Sequence, residues 1–416
     1  MSELIPSACR RADSRRPFRT AALLLVLLVS RVALLDHPTP VHGDELEFIS
    51  AIGFPAAYPV HQPGYPLWVA MGTLLSRCGA PPYAAYQAWS VVCSVLAPWL
   101  LYLALRREVD DAIGWWIALA MGVCPLTWFM GTTALNYSAA CAAGLLVAMN
   151  CRRAVIDQSA AHMRWAAACL TFSMQLRPDL LLWLGPMVLA TAWRFKRADR
   201  VFCLLVLAMG TAWVFGVQSW LYGRAPVMGG VPQVGHTVDV ILNTSVFRLG
   251  AVDGLLRNAA KLVAIAAWQV GLPLVICAGG CLLRQERLRP ATVGAFGSLN
   301  AFLLVWMLPL TAFLVLIHMT EAGHTLLLIP AVYWLIAHLV TSRCTRRRGL
   351  ILAISIAVAS ALQFSLYPWS AESKGFKRTL DAKVAYISAA GLRHIDDRDL
   401  IHTPGDYWRT GAHDSE

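Results

Sequence analysis

The sequence predicts an all-α polytopic membrane protein, and three observations lead to this prediction. Of its 416 residues, 57% are hydrophobic and 14% are charged, whereas soluble domains average about 45–50% apolar and about 25% charged residues. The mean hydropathy is +0.56, and the apolar residues fall in runs close to the roughly 20 residues that a bilayer core requires. Short basic clusters separate these runs, as the positive-inside rule expects of cytoplasmic loops.

The basic residues are grouped rather than spread, and the grouping indicates their partner. The chain carries a formal net charge of +11, which on its own would also fit a nucleic-acid-binding protein. Most of the excess lies in short clusters between apolar runs, where membrane topology requires it. The sequence therefore predicts the lipid bilayer, and no nucleic acid, as the partner of these residues.

The first apolar run, residues 20–35, follows a polar segment that contains five arginines. The run resembles the apolar core of a signal peptide, but no small-residue cleavage site follows it, so we predict a retained span. Basic flanks stay on the cytoplasmic side of a membrane. Residues 1–19 are therefore expected in the cytoplasm.

Ten more spans complete a predicted transmembrane unit of about eleven helices over residues 20–366. They lie near residues 83–105, 112–131, 134–150, 164–176, 180–193, 201–222, 258–283, 291–317, 325–341 and 349–366. The spans 164–176 and 180–193 are short and are separated by a polar stretch that contains Arg177 and Pro178. A broken pair that does not fully cross the bilayer is the alternative at that place.

Positive charge decides the predicted orientation. Every second boundary between spans is basic, and the intervening boundaries carry almost no Lys or Arg. The basic boundaries are Arg106/Arg107, Arg152/Arg153/Arg164, Arg194/Lys196/Arg197/Arg200, Arg284/Arg287/Arg289 and Arg343/Arg346/Arg347/Arg348. With the N-terminus inside, three segments face the extracytoplasmic side, namely the loop 36–82, the loop 223–257 and the polar tail 367–416.

The most informative stretch is acidic and follows the first span directly. Asp44, Glu45 and Glu47 lie within four residues, and on a helix that begins near Gly43 the side chains of Asp44 and Glu47 share a face. Such a pair fits deprotonation of an acceptor hydroxyl, or ligation of a divalent cation such as Mg²⁺ or Mn²⁺. The alternative is a solvated helix start that the macrodipole stabilises.

Arg177 is the best candidate for binding an anion. It stands between two short apolar runs, and an arginine at membrane depth is costly unless it is functional or paired. A salt bridge to Asp179, or snorkelling of the guanidinium to the interface, is an equal alternative.

A second polar segment of the first outer loop, residues 61–68, carries His61 and Tyr65. The imidazole and the phenol are suited to hydrogen bonding with a bound ligand. The alternative is that the proline-rich part of this segment is a turn that starts a membrane-lying helix.

A third polar segment, residues 318–324, lies near the other end of the chain and carries His318, Glu321 and His324. These side chains either approach the same site as the first outer loop or form an ordinary polar turn between two spans.

These motifs, in this order, resemble those of the C-type glycosyltransferase superfamily of polytopic membrane enzymes. The acidic motif of that superfamily, in the first extracytoplasmic loop, is similar to Asp44-Glu45, which Glu47 and Phe48 extend here. The resemblance is closest to a branch of protein O-mannosyltransferase-like proteins, whose second motif is similar to residues 61–67. The resemblance implies the C-type (GT-C) fold, with short membrane-lying helices in the first outer loop.

The chain departs from the family pattern at two positions. Gln62 stands where a proline is usual, which is a mild change in a loop. His324 follows Gly323 where a tyrosine is usual, and this leaves the role of position 324 open.

What the resemblance implies is an inverting transfer of a sugar from a polyprenyl-phosphate carrier to a hydroxyl on a lipid, glycan or protein acceptor. The reaction would take place on the extracytoplasmic face of a bacterial inner membrane. Asp44 is expected to be the general base, assisted by Glu45. The residues expected to bind substrate are Glu47, His61, Tyr65, Arg177, His318, Glu321 and His324. No cofactor is expected with certainty, and a divalent cation on the three carboxylates stays open.

Two functions from other classes compete with this one. In a transporter or lipid flippase, Arg177 and Asp179 would belong to a substrate path. The absence of a visible inverted repeat, and the concentration of acidic residues in one loop, argue against that class. A non-catalytic membrane assembly factor is the second alternative, against which the pairing of Asp44 with Glu45 argues weakly. No glycine-rich nucleotide motif is visible, which disfavours a nucleotide-sugar donor.

Overall fold

A computed structural model of the chain describes residues 16–32, 35, 43–53, 65–221, 245–282, 298–318 and 322–365. Within these ranges every regular element is helical, which confirms the all-α prediction for this part of the chain. The α-helices are α1 Arg16–Val32, α2 Gly43–Gly53, α3 Pro66–Arg77, α4 Pro82–Leu105, α5 Asp111–Gly122, α6 Pro125–Met130, α7 Tyr137–Asp157, α8 Ala160–Ser173, α9 Leu180–Ala192, α10 Arg197–Leu221, α11 Val246–Leu249, α12 Ala251–Ala266, α13 Leu272–Leu282, α14 Leu299–Leu316, α15 Ile329–Arg343 and α16 Arg346–Ser365. A π-helical turn, Ala267–Gly271, joins α12 to α13, and a 3₁₀ helix, Ala322–Leu327, precedes α15.

Five helical segments of the described part are long and apolar enough to cross a membrane. They are Pro82–Leu105, Tyr137–Asp157, Ala251–Cys281, Leu299–Leu316 and Ala322–Arg343. Their length and composition indicate a membrane protein. Each of the other predicted spans also overlaps a helix.

The structure corrects three of the predicted boundaries. The run 112–131 is divided into α5 and α6, because Pro125 opens α6 and a proline cannot continue the preceding helix. The next helix begins at Tyr137 rather than at residue 134. The described end of the predicted loop 223–257 is helical, since α11 and the first turns of α12 lie within it.

Helix α7 lies at the centre of the bundle and packs against α4, α8 and α9. Of its most apolar stretch, 83% is buried, against 28% for the corresponding stretch of α14. Its first half is rich in alanine and contains Gly144. Small residues allow the backbones of neighbouring helices to approach closely, so the composition of α7 explains its central place.

One end of the bundle is held by ion pairs, and we call it the Arg-rich end. There Arg19 of α1 forms an ion pair with Asp111 of α5, and Arg346 of α16 forms one with Asp110, the residue before α5. Glu108 accepts hydrogen bonds from Arg152 of α7 and from His338 of α15. The first helix, the central helix and the last two helices of the described part thus meet at one charged cluster.

Glu108 is largely enclosed, with its side chain 11% exposed. Burial alone would raise the pKa of Glu108, but the hydrogen bond from His338 and the charge of Arg152 outweigh burial and hold the pKa below its ordinary value. A carboxylate with a lowered pKa stabilises the fold above its unfolded pKa of about 4.3, and this stabilisation is lost as the pH falls below that value.

Glu108→Gln is therefore expected to lower the free energy of unfolding by about 3 kcal/mol at neutral pH, because it removes the negative charge that faces the buried Arg152. Thermal denaturation in detergent measures the effect. Acidification should also destabilise the variant less than it destabilises the wild type. Asp157→Asn is the matched control, because the Arg107–Asp157 pair is about half exposed and such pairs contribute little. Equal denaturation temperatures for Glu108→Gln and the wild type would contradict the assignment.

Candidate functional site

The site lies at the end of the bundle opposite the Arg-rich end and centres on residues 131–136, which connect α6 to α7. Glu45 of α2 is fully buried, and its Oε1 accepts a hydrogen bond from the backbone N–H of Ala134 at 2.8 Å. From α4, Gln87 donates to the carbonyl of Thr132 and Ser90 donates to the carbonyl of Leu135, both at 2.9 Å. Side chains of α2 and α4 therefore hold this connection in place.

One carboxylate oxygen of Glu45 thus binds the backbone of the central connection. Its neighbour Asp44 lies on α2, which begins at Gly43 as the sequence predicts; the side chain of Asp44 is outside the described part. Glu47, on the next turn of the same helix, is half-buried. The acidic motif is thereby carried by a helix that is anchored to the central connection.

Aromatic rings join the helix of the acidic motif to the second motif of the outer loop. The ring of Phe48 lies 5.7 Å from that of Tyr65 and 5.6 Å from that of Tyr86, between ring centroids. The backbone N–H of Leu67 donates to the carbonyl of Gln175 at 3.0 Å. The start of α3 is thus fixed to the polar stretch between α8 and α9, where Arg177 stands.

Arg177 is buried and makes hydrogen bonds to two neighbours. Its Nε donates to Oδ1 of Asp179 at 3.2 Å and its Nη2 to Oδ2 at 2.7 Å, which is a bidentate ion pair. Its Nη1 donates to Oδ1 of Asn136 at 3.3 Å. Burial alone would lower the pKa of Arg177, but the Asp179 carboxylate outweighs burial and raises the pKa. The salt bridge that was one alternative for this arginine is present.

Three aromatic rings surround the guanidinium of Arg177. Its central carbon lies 4.6 Å from the ring centroid of Tyr137, 5.7 Å from that of Trp183 and 5.9 Å from that of Tyr65. Cation–π contacts of this kind favour the charged form of an arginine at a desolvated place. They also bring Tyr65 of the first outer loop to the arginine of the α8–α9 connection.

The two histidines of the third motif reach the same cluster from the connection between α14 and α15. The ring of His324 lies 5.5 Å from that of Tyr137 and 5.9 Å from that of Trp183. The ring of His318 lies 6.0 Å from that of His324. We call this group the aromatic–arginine cluster and define it by Tyr65, Asn136, Tyr137, Arg177, Asp179, Trp183, His318 and His324.

The structure therefore brings four sequence-predicted site residues together, namely Tyr65, Arg177, His318 and His324. Glu45 lies beside them, because its carboxylate binds the backbone N–H of Ala134, two residues before the cluster residue Asn136. His61 and Glu321 fall outside the described residues. Within the described part, no group of three His, Cys, Asp or Glu side chains is placed to hold a metal ion.

Sequence reasoning missed Asn136, Tyr137 and Trp183, which complete the cluster. Asn136 and Tyr137 form a polar pair at the start of the most buried helix, and this is a signal that the sequence does contain. Trp183 lies within an apolar run, where nothing in the spacing separates it from a tryptophan that faces lipid. The contacts of Trp183 follow from the packing of α9 against α7 and α14.

Gly323 allows the 3₁₀ helix to lie against the ring of Tyr137. A Cβ at this position would lie 2.5 Å from two carbon atoms of that ring, so Gly323→Ala must shift either the 3₁₀ helix or the ring of Tyr137, which packs on Arg177. Such overpacking typically costs about 1–3 kcal/mol. We expect a lower denaturation temperature and a weaker binding of any ligand that uses Arg177.

The matched control for Gly323→Ala is Gly279→Ala on α13. A Cβ added at Gly279 would meet no atom within 4 Å, so this variant is expected to be as stable as the wild type or more stable by up to about 1 kcal/mol. A Gly323→Ala protein as stable as the Gly279→Ala protein would show that the ring of Tyr137 is free to move.

No protein-family model matches the chain, and no curated protein matches it. The fold and the site therefore define its class. It is a helical membrane protein with a buried arginine, two histidines and aromatic rings gathered at one end of the bundle.

Proposed function

We propose that the protein is an integral-membrane glycosyltransferase that moves a sugar from a polyprenyl-phosphate carrier to an acceptor hydroxyl. One observation carries the proposal. Tyr65, Arg177 and the histidine pair come from three segments that are far apart in the chain, and they meet in one cluster. The acidic helix α2 is anchored next to that cluster through Glu45.

The residues divide into two chemical roles. Asp44 acts as general base on the acceptor hydroxyl, which attacks the anomeric carbon with inversion. The leaving polyprenyl phosphate needs its negative charge neutralised more than it needs a proton, and a buried guanidinium is suited to that task. His318 and His324 supply hydrogen bonds near the same charge, and the aromatic rings provide faces on which a sugar can stack.

The proposed orientation is that of an eleven-span protein of a bacterial inner membrane. The Arg-rich end faces the cytoplasm, and the aromatic–arginine cluster faces the extracytoplasmic side. The clustering of Arg19, Arg152 and Arg346 at one end of the bundle supports this orientation.

Reporter fusions after Arg348 and after Glu416 test the orientation. We expect a cytoplasmic signal from the first fusion and an extracytoplasmic signal from the second, because one span separates them. Signals from the same compartment would contradict the layout.

The experiment that tests the function uses purified protein in liposomes with a radiolabelled polyprenyl-phosphate sugar. A glycosyltransferase passes the label to an added acceptor and releases polyprenyl phosphate. Transport of the intact lipid across the bilayer, without release, would identify the flippase that is the alternative. The Arg177–Asp179 pair, buried between two short helices, is the observation that favours that alternative. If neither transfer nor transport is observed, both functions are contradicted.

A further inference from the structure

The guanidinium of Arg177 presents one edge, formed by Nε and Nη2, to Asp179. A phosphate group binds an arginine through the same kind of edge, with two parallel hydrogen bonds. A lipid phosphate and the Asp179 carboxylate would therefore compete for one place. The two anions cannot occupy it together, because each needs both N–H groups in the plane of the guanidinium.

The other contacts of Arg177 hold the rest of its guanidinium, so a phosphate would replace Asp179 at the edge formed by Nε and Nη2. Its Nη1 is bound to Asn136, whose own amide donates to the carbonyl of Leu176 at 3.1 Å. The ring of Tyr137 lies against the guanidinium. The Arg177 side chain is 5% exposed and that of Asp179 is 29% exposed. The arginine is thus fixed from within, whereas its carboxylate partner lies toward the outside.

We propose that Asp179 is a resident anion that the phosphate of the lipid carrier displaces from Arg177. The inference rests on the proposed function, and it identifies the residue that sets the affinity of the site and its selectivity for charged carriers. A buried guanidinium without an anion is strongly unfavourable. Asp179 therefore stabilises the ligand-free protein, and it weakens phosphate binding because it must be released first.

The test compares Asp179→Asn with the wild type, using a polyprenyl monophosphate and the corresponding uncharged polyprenol as probes in nanodiscs. The variant keeps the size of the side chain but removes the competing charge. We expect the dissociation constant for the polyprenyl phosphate to fall about tenfold, and the weak binding of the polyprenol to stay unchanged. The ligand-free variant should denature at a lower temperature than the wild type, and the phosphate should restore its stability.

The matched control is Asp199→Asn at the Arg-rich end. Asp199 is buried and paired at 2.6 Å with Arg164, whose side chain is 55% exposed, so the variant makes the same substitution in an ion pair away from the cluster. Its affinity for the polyprenyl phosphate is expected to equal that of the wild type. A second variant, Arg177→Gln with Asp179→Asn, leaves no unpaired buried charge, so it tests the proposal even if Asp179→Asn does not fold. It should fold and bind the phosphate no better than the polyprenol.

An unchanged or larger dissociation constant for folded Asp179→Asn would overturn the exchange. Phosphate binding by the double variant at wild-type strength would do the same, since it would place the phosphate away from Arg177. Tighter binding by Asp179→Asn without sugar transfer by the wild type would support the exchange and contradict the transferase. Transfer by the wild type with an unaltered phosphate affinity in Asp179→Asn would contradict the exchange alone. Absence of phosphate binding in all variants would contradict both.

Discussion

Asp44→Asn is expected to lower the rate of sugar transfer by about 10²–10⁴-fold, which is the usual contribution of a general base. The substitution keeps the size of the side chain and removes its ability to accept a proton. The fold should be retained, because α2 is anchored by Glu45 and by the ring contacts of Phe48. The measurement is transfer at saturating donor, together with the denaturation temperature in detergent.

Glu45→Gln is the matched control on the same helix. A glutamine retains an oxygen that can accept the hydrogen bond of the Ala134 N–H, so the fold and much of the activity should remain. Glu45→Ala leaves this buried N–H without an acceptor and should destabilise the protein by about 1–3 kcal/mol. Near wild-type turnover by well-folded Asp44→Asn would contradict the assignment of the base.

The same set of variants separates a general base from a metal site. If Asp44, Glu45 and Glu47 hold a divalent cation, Glu47→Gln should lower the rate about as much as Asp44→Asn does. Excess Mg²⁺ or Mn²⁺ should then recover part of the activity. If Asp44 is a base alone, Glu47→Gln has the smaller effect and added cation recovers nothing.

Arg177→Ala is expected to raise the donor concentration required for half-maximal transfer and also to destabilise the fold. Removing one partner of a buried ion pair typically costs about 3–5 kcal/mol. The cost should lie near the lower figure, because Asp179 is 29% exposed and can be hydrated. The sequence alone predicts an effect mainly on donor use; the bond to Asn136 and the ring contacts of Arg177 add the effect on stability.

A double variant, Arg177→Ala with Asp179→Ala, distinguishes the two effects. It removes the unpaired carboxylate, so its stability should recover in part, whereas donor use should stay impaired. Donor titration and thermal denaturation of the same preparations measure both quantities. An apparent donor affinity equal to that of the wild type, in either folded variant, would leave Arg177 with a structural role.

The class of fold and the local breaks in it can be predicted from the sequence. Hydropathy predicts helices wherever about 20 apolar residues follow one another, because the backbone must satisfy its hydrogen bonds internally in lipid. The separation of α8 from α9 was also predictable, since Arg177, Pro178 and Asp179 interrupt the apolar pattern. The start of α2 at Gly43 was predictable from the acidic residues that follow it.

The division of the run 112–131 into α5 and α6 was harder to predict from the sequence. Pro125 is visible in the sequence, but a proline inside an apolar run either kinks a transmembrane helix or ends it. The choice depends on which neighbours satisfy the freed backbone groups. Here the fully buried Arg31 of α1 donates to the carbonyl of Gly122, at the end of α5. The tertiary contact stabilises the break.

The partners of the site residues become visible in the folded protein and could not be predicted from the sequence. The sequence indicated Glu45 as a catalytic partner of Asp44, and the structure places its carboxylate on the N–H of Ala134, 89 positions away. A phosphate and Asp179 were equally compatible with the sequence as partners of Arg177; the structure pairs Arg177 with Asp179 and adds contacts to Asn136 and Tyr137. Hydropathy is a property of each segment alone, whereas a side-chain contact depends on how two helices are rotated and packed against each other. That packing follows from the small residues of α7 and from Gly323, which let distant segments approach the same place.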